Sequence, residues 1–388
     1  MKIVHVIEYF QPKMGYQETY VAREHANLGH DVEVVTSDRY NPIIFESSAT
    51  KNVLGERVVK SGFFEEEGIR VWRLKTLFEF PPVIWTRGLE AKIRELKPDV
   101  VIVHNAVSFA GIRIARLKKS LGFKLVYDDH MTFEASRSKL RFLYPLYTRL
   151  FSGLIQRNAD ALVGVCETSK AFMHQRYGMP LERITVIPLG ADDELFRHDA
   201  ASRIEIRKEL GIPPDSLLFI YAGKLIPDKG PHLLVEAAVR LMKEHDNLCV
   251  LLLGGGGPDY LGKMKQTIRE HALEDRFFWH DAVPNKELYK YYSAADVAVW
   301  PREASLSIME AMACNVPVII SDTSQVNERV SYGNGLTYRG DDPADLTRQM
   351  EKLLDPELRR EMGANGRKAV EEQLNWKAIA RHFIELVS

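Results

Sequence analysis

Cysteine is scarce, with three in 388 residues. Cys166, Cys249 and Cys314 lie far apart in apolar runs (LVGVCET, NLCVLLL, EAMACNV). No disulfide framework is expected from them, and a reducing compartment suits the chain. Long apolar runs are missing too. None approaches the ~20 residues that a membrane-spanning helix needs. The opening MKIVHVIEYFQP is broken by His5 and Glu8 and does not read as a secretory signal. Net charge is almost nil, 52 Lys and Arg standing against 53 Asp and Glu. That argues against a nucleic-acid partner, which selects a large positive excess. Low-complexity segments and internal repeats are lacking. What remains is an ordinary soluble globular composition, 45% hydrophobic and 27% charged, and a cytoplasmic location is expected.

Short apolar runs alternate with longer amphipathic ones. Lys2–Ile7, Asp31–Thr36, Ile69–Leu74, Val100–His104, Lys124–Tyr127, Ala161–Val165 and Ile184–Ile187 read as strands, with helices over Glu18–Leu28, Leu89–Leu96 and around Ile112–Ser120. A second series of strands begins at Leu217–Ala222 and runs through Leu248–Leu253, Arg276–Trp279 and Val297–Trp300 to Val316–Ser321. Such alternation implies parallel sheets covered by helices, and the strand number favours two doubly wound α/β domains. The polar run ADDELFRHDAAS places the boundary so that one domain covers 1–195 and the other 196–375. The amphipathic end, 376–388, is expected to pack back on the first domain. Ligands of open α/β sheets bind at the carboxyl ends of the strands, so two such sheets can hold two substrates in the cleft between them.

Two segments carry chemistry. In YAGKLIPDKG (221–230) a strand ends at Gly223, and Lys224 and Lys229 follow on one strand-to-helix loop. Two ammonium groups there can clamp a diphosphate, although two solvated surface lysines would look the same. In PREASLSIMEAMA (301–313) a strand gives way to a helix, so the backbone N–H groups of Ser305, Leu306, Ser307 and Ile308 would face a phosphate. Glu310 lies one turn further on, where a carboxylate can accept from two sugar hydroxyls. A surface Glu that compensates the helix dipole is the plainer alternative.

Together with IPLGADDELF (187–196) and the glycine loop PKMGYQETY (12–20), these segments resemble the family 4 retaining glycosyltransferases of the GT-B fold. GK…KG and EAMACNVPVI, in this order and spacing, are the most specific parts, and the resemblance covers nearly the whole chain. It implies two Rossmann-like domains facing a central cleft, the first for the acceptor and the second for a nucleotide-sugar donor. It implies that Lys224 and Lys229 bind the donor diphosphate, with Gly223 beside them, and that Glu310 binds the nucleotide ribose. Gly15 would face the donor phosphates, and His130 in VYDDHMT would contact the donor sugar. The first acid of the family's pair maps to Glu303, one residue closer to Glu310 than usual, with Arg302 as the alternative occupant. No metal and no cofactor is expected, and the resemblance implies no protein base, the β-phosphate taking the acceptor proton.

Rival motifs fail on single residues. A dinucleotide fingerprint starting at Gly254 needs glycine where Asp259 stands, and the P-loop pattern GPDYLGK is followed by Met264 instead of a hydroxyl. The run Gly254–Gly257 is expected to let the backbone approach the nucleoside. Asp128, Asp129 and His130 are not expected to share a metal, because adjacent strand residues face opposite ways. The stretch 136–157, with Arg137, Lys139, Arg141, Arg149 and Arg157 among aromatics and leucines, fits either a core helix with a basic rim or an element lying on an anionic membrane, where a lipid-linked or glycan acceptor would be met. The expected activity is transfer of a hexose from a nucleotide diphosphate sugar to a hydroxyl in glycan or glycolipid assembly. A nucleotide-sugar epimerase, a phosphorylase or a non-catalytic nucleotide-binding relative on the same scaffold are the alternatives.

Overall fold

The computed structural model describes residues 1–45, 51, 53–80, 83–106, 108–133, 144–302, 306–323 and 327–388. The chain divides into two units, Met1–Leu189 with Trp376–Ser388, and Gly190–Asn375. The division falls at 189/190 instead of 195/196. The segment after it is tied to the second unit: the Ala191 amide donates to the Leu374 carbonyl at 2.9 Å, and Arg367 donates to the carbonyl of Phe196 at 2.9 Å.

The first unit contains β1 (Lys2–Ile7), β2 (Asp31–Ser37), β3 (Gly62–Glu66), β4 (Ile69–Leu74), β5 (Thr76–Phe80), β6 (Val83–Thr86), β7 (Val100–His104), β8 (Lys124–Asp129), β9 (Ala161–Gly164) and β10 (Ile184–Val186). Eight of them form one sheet in the order β10-β9-β8-β7-β1-β2-β4-β3, parallel except where β3 runs against β4. Unbroken apolar runs such as VVIV in β7 suit a sheet buried on both faces, and every residue of β7 is buried. Each fully buried Val, Leu or Ile contributes about 1.5–3 kcal/mol. The final helix, Trp376–Glu385, belongs to this unit. Its Trp376 stacks on Tyr20 with ring centroids 4.9 Å apart, and Ile379, Ala380 and Phe383 are buried.

The second unit holds β11 (Leu217–Ala222), β12 (Leu248–Leu253), β13 (Phe277–His280), β14 (Val297–Trp300), β15 (Val318–Ser321) and β16 (Gly335–Tyr338). They form one parallel sheet in the order β13-β12-β11-β14-β15-β16. Strand order reverses between β1 and β7 in the first sheet and between β11 and β14 in the second. The crevice outside the carboxyl ends at such a reversal is where open α/β sheets take ligands. No helix of the described residues is long and apolar enough to cross a membrane.

Candidate functional site

In the second unit the loops after β11 and β14 meet at the reversal point. Trp300 at the end of β14 donates its indole N–H to the Ala222 carbonyl at 3.0 Å. Past Ala222 the chain turns through Gly223 to Lys224, whose carbonyl accepts from the Tyr221 hydroxyl at 2.8 Å. The Lys224 side chain is exposed and Lys229 is half-buried, at the end of the short turn Pro227–Lys229. Gly230, at φ +71°, closes that turn and opens the helix Pro231–Leu241.

The glycines after β12 serve this loop in a way the sequence did not suggest. A Cβ on Gly254 would lie 1.8 Å from the Gly223 carbonyl oxygen, and one on Gly256 would lie 2.2 Å from that of Leu225. Leu225 and Gly256 pair in a parallel bridge. These two glycines let two loop backbones touch each other, so approach to a nucleoside is not what demands them.

Arg302 ties the same loops together. Its Nε donates to Asp341 at 2.7 Å and one terminal nitrogen donates to the Pro227 carbonyl at 2.7 Å. The guanidinium thus braces the turn that ends in Lys229. Glu303 and Ser305 lie outside the described residues. The helix that follows, Ser307–Ala313, has seven residues. Leu306 precedes it without a side-chain cap, and the Ile308 side chain is buried in the core. Two turns of helix supply only a small dipole.

Glu310 lies on the inner face of that helix and is 6% exposed. One carboxylate oxygen accepts from Asn285 Nδ2 at 2.7 Å, while the other is buried with no partner among the described residues. Burial raises its pKa from 4.5 to about 7, against the opposing Asn285 hydrogen bond. An unpaired buried carboxylate oxygen is costly, and a ligand with adjacent hydroxyls would satisfy it. Asn285 was not singled out in the sequence. Its signal was a polar residue just past a strand end, which many loops share.

The first unit has its own cluster at the β1/β7 reversal. Asp128, near the end of β8, is fully buried, and its Oδ2 faces His104 Nδ1 at 2.8 Å and His130 Nε2 at 3.2 Å. Asp129 turns away from its neighbours, as the strand alternation implies, but the cluster gains a member from another strand. Asp128 and His130 are two apart and share a face, and His104 joins them from the adjacent β7, so their polar atoms gather within 4.8 Å. One carboxylate oxygen is the partner of both imidazoles, which makes this a hydrogen-bonded network. Burial opposes charge on His130, but Asp128, with Glu18 and Asp129 nearby, outweighs it and raises the pKa from 6.5 to about 9. The His130 side chain is 39% exposed and so open to a ligand. Asp129 braces the loops instead, accepting from the amides of Ala106 at 3.0 Å and Met131 at 2.8 Å. After β1, Gly15 takes φ +70° to end the turn Pro12–Met14 before the helix Gln17–Asn27. Glu8, also missed in the sequence, is raised by burial from 4.5 to about 8 in spite of the Ala110 and Phe109 amides.

Residues 202–369 match the model for glycosyl transferases group 1, and residues 18–195 match the model for glycosyltransferase family 4. The chain belongs to the family 4 glycosyltransferases. This glycosyltransferase is 30% identical over 238 residues to the D-inositol 3-phosphate glycosyltransferase of Xylanimonas cellulosilytica, covering 59% of this chain and 56% of that one. It therefore spans about half the length of that relative. The protein of the same name from Nocardia farcinica is 27% identical over 366 residues, 90% of this chain and 79% of that one. Among solved structures, HepE of Anabaena in complex with UDP superposes with a TM-score of 0.74 at 18% identity, covering 99% of each chain. WaaG, a glycosyltransferase involved in lipopolysaccharide biosynthesis, gives 0.64 at 16% identity over the whole of both chains. These likenesses establish the GT-B fold.

Proposed function

We propose that this glycosyltransferase moves a sugar from a nucleotide diphosphate sugar to a hydroxyl of a glycan or lipid-linked acceptor, with retention at the anomeric carbon, in glycan or glycolipid assembly at the cytoplasmic membrane face. The observation that carries the donor reading is Glu310, a buried carboxylate with one oxygen held by Asn285 and the other unsatisfied among the described residues, in the unit that also presents Lys224 and Lys229. A ribose diol supplies the two donors that this oxygen lacks. The UDP bound to HepE supports the same reading.

Departure of the nucleoside diphosphate is the demanding step, because negative charge grows on its leaving oxygen. Preorganised cations aimed at that oxygen lower the barrier. Lys224 and Lys229 provide them, on a turn stiffened by Arg302 and by the Gly223–Gly254 contact. In this reading the lysines carry the charge compensation that a metal would otherwise give. Attack by the acceptor from the side of the leaving group lets a β-phosphate oxygen take the hydroxyl proton, so no protein base is assigned. His130 presents a ring nitrogen to the sugar. For the membrane face, Leu146 and Leu150 are 53% and 58% exposed one helical turn apart, with Arg149 beside them. Arg137, Lys139 and Arg141 lie outside the described residues.

The test is release of nucleoside diphosphate from UDP-, GDP- and ADP-sugars, with and without a mixture of glycan and lipid-linked acceptors. Acceptor-dependent release with one donor, and a product of unchanged anomeric configuration, is the expected result. Release that needs inorganic phosphate would make the protein a phosphorylase. Donor binding without turnover in any mixture would make it a non-catalytic relative.

A further inference from the structure

A line of hydrogen bonds runs inward from the Asp128–His130 pair. His104 Nε2 lies 3.0 Å from His5 Nδ1, and His5 Nε2 lies 3.1 Å from His25 Nδ1. His25 Nε2 lies 2.9 Å from the carbonyl oxygen of Ala380 in the final helix. His5, His25 and Asp128 are completely buried, and His104 is 7% exposed.

The protons can be counted. A peptide carbonyl only accepts, and so does an ionised carboxylate. Between Ala380 and Asp128 there are four contacts, and each needs one proton. Three neutral imidazoles bring three. We infer that the His25–His5–His104 chain holds a fourth proton, carried by His104 against the Asp128 carboxylate, and that this proton store opens only toward His130.

Its location follows from the neighbours. Burial, with His25 and His104 nearby, holds His5 well below the ordinary imidazole range. Burial also lowers His25 to about 4, with His30 and His104 adding to it against the Ala380 hydrogen bond. Burial opposes ionisation of Asp128, but His130 and His104 outweigh it and hold the carboxyl below the usual range. At the far end stands a carbonyl that cannot take up a proton, so exchange runs through Asp128 and His130. The charged groups facing His130 are Asp128, Asp129 and Glu18. His130 Nε2 is committed to Asp128, which leaves Nδ1 for a ligand. The count holds whatever reaction the protein performs. Its consequence, that His5, His25 and His104 are positioning residues for His130, rests on the sugar-transfer reading.

The experiment is long-range proton–nitrogen NMR of the full chain labelled with ¹⁵N-histidine, which reads the protonation of each ring nitrogen directly. The expected spectrum has His104 doubly protonated, with His5 and His25 as neutral Nε2–H tautomers. Three neutral rings in the parent protein would overturn the inference, and that spectrum needs no variant. In Asp128→Asn the amide supplies the missing proton, so the His104 imidazolium signal should vanish and His130 should titrate lower. Persistence of both signatures would contradict the inference. So would a divalent ion found at one per chain in the purified parent and lost in Asp128→Asn, since a cation in that contact replaces the proton. Donor turnover is read alongside: a correct proton count with no transferase activity defeats the functional reading alone.

Discussion

Asn285 Nδ2 donates to one oxygen of the Glu310 carboxylate at 2.7 Å, and the other oxygen of that carboxylate is buried with no partner among the described residues. The asymmetry means that Glu310 is oriented but unsatisfied before a ligand arrives. In the proposed function the same side chain carries both a stability cost and the contact to the ribose.

The sign of that cost can be worked out. A carboxyl raised from 4.5 to about 7 on folding is penalised whenever it is ionised. The penalty is absent below the unfolded value, grows through the interval and is complete above about 7, on the order of 3 kcal/mol. Glu310→Gln should therefore melt higher than the parent at about pH 8 and no higher at about pH 4.5. The same variant should bind UDP at least tenfold more weakly by calorimetry at the higher pH. Binding by the parent should itself weaken as pH falls through about 7, whereas the variant should keep only the slope that the terminal phosphate of UDP brings near about pH 6. Equal UDP affinity in parent and variant would remove the ribose role.

Lys229→Ala should lower kcat by about 10²–10³, the loss of one preorganised donor at a developing oxyanion, about 2.7–4 kcal/mol. Circular dichroism and melting should stay close to those of the parent, because Lys229 ends a short turn outside the sheet and is only half-buried. Near-normal turnover in a folded variant would show that the charge on the leaving oxygen is met elsewhere.

Gly254→Ala tests the contact that shapes the lysine loop. Its Cβ would sit 1.8 Å from the Gly223 carbonyl oxygen, at a φ of +145° that already disfavours alanine. Backbone cannot yield cheaply there, so the loop after β11 must shift. A lower melting temperature together with weaker UDP binding is expected. Unchanged values of both would mean that the two loops are free to separate.

Leu146→Ser combined with Leu150→Ser should reduce co-sedimentation of the protein with vesicles containing anionic lipid, and raised salt should do the same. A parent protein that never sediments with such vesicles would end the membrane reading.

Much of the architecture was legible because parallel strands buried on both faces read as unbroken apolar runs. β7, β11, β12 and β14 coincide with such runs, while β4, IRVWRL, was legible from its alternation of buried and more exposed residues. β3 escaped because its burial is broken, GFFEE being mostly exposed, and because it joins the sheet antiparallel through a tight turn at Glu67 and Gly68. The placement of the lysine pair on the loop after β11 and of Glu310 on the helix after β14 was readable from local motifs beside strand ends. The Gly223–Gly254 approach, the Asn285 bond and the histidine chain were not, since each joins residues far apart in sequence through geometry that only the folded sheet supplies. His5 in particular reads as an interruption in an apolar strand, and its partners lie 20 and 99 positions away.

The most direct test of the central claim compares UDP with uridine by calorimetry, in the parent and in a Lys224→Ala, Lys229→Ala double variant. If these lysines grip the diphosphate, the parent should favour UDP by orders of magnitude, and that preference should collapse in the double variant while uridine affinity stays the same. A preference for UDP that survives intact in a folded double variant would contradict the account.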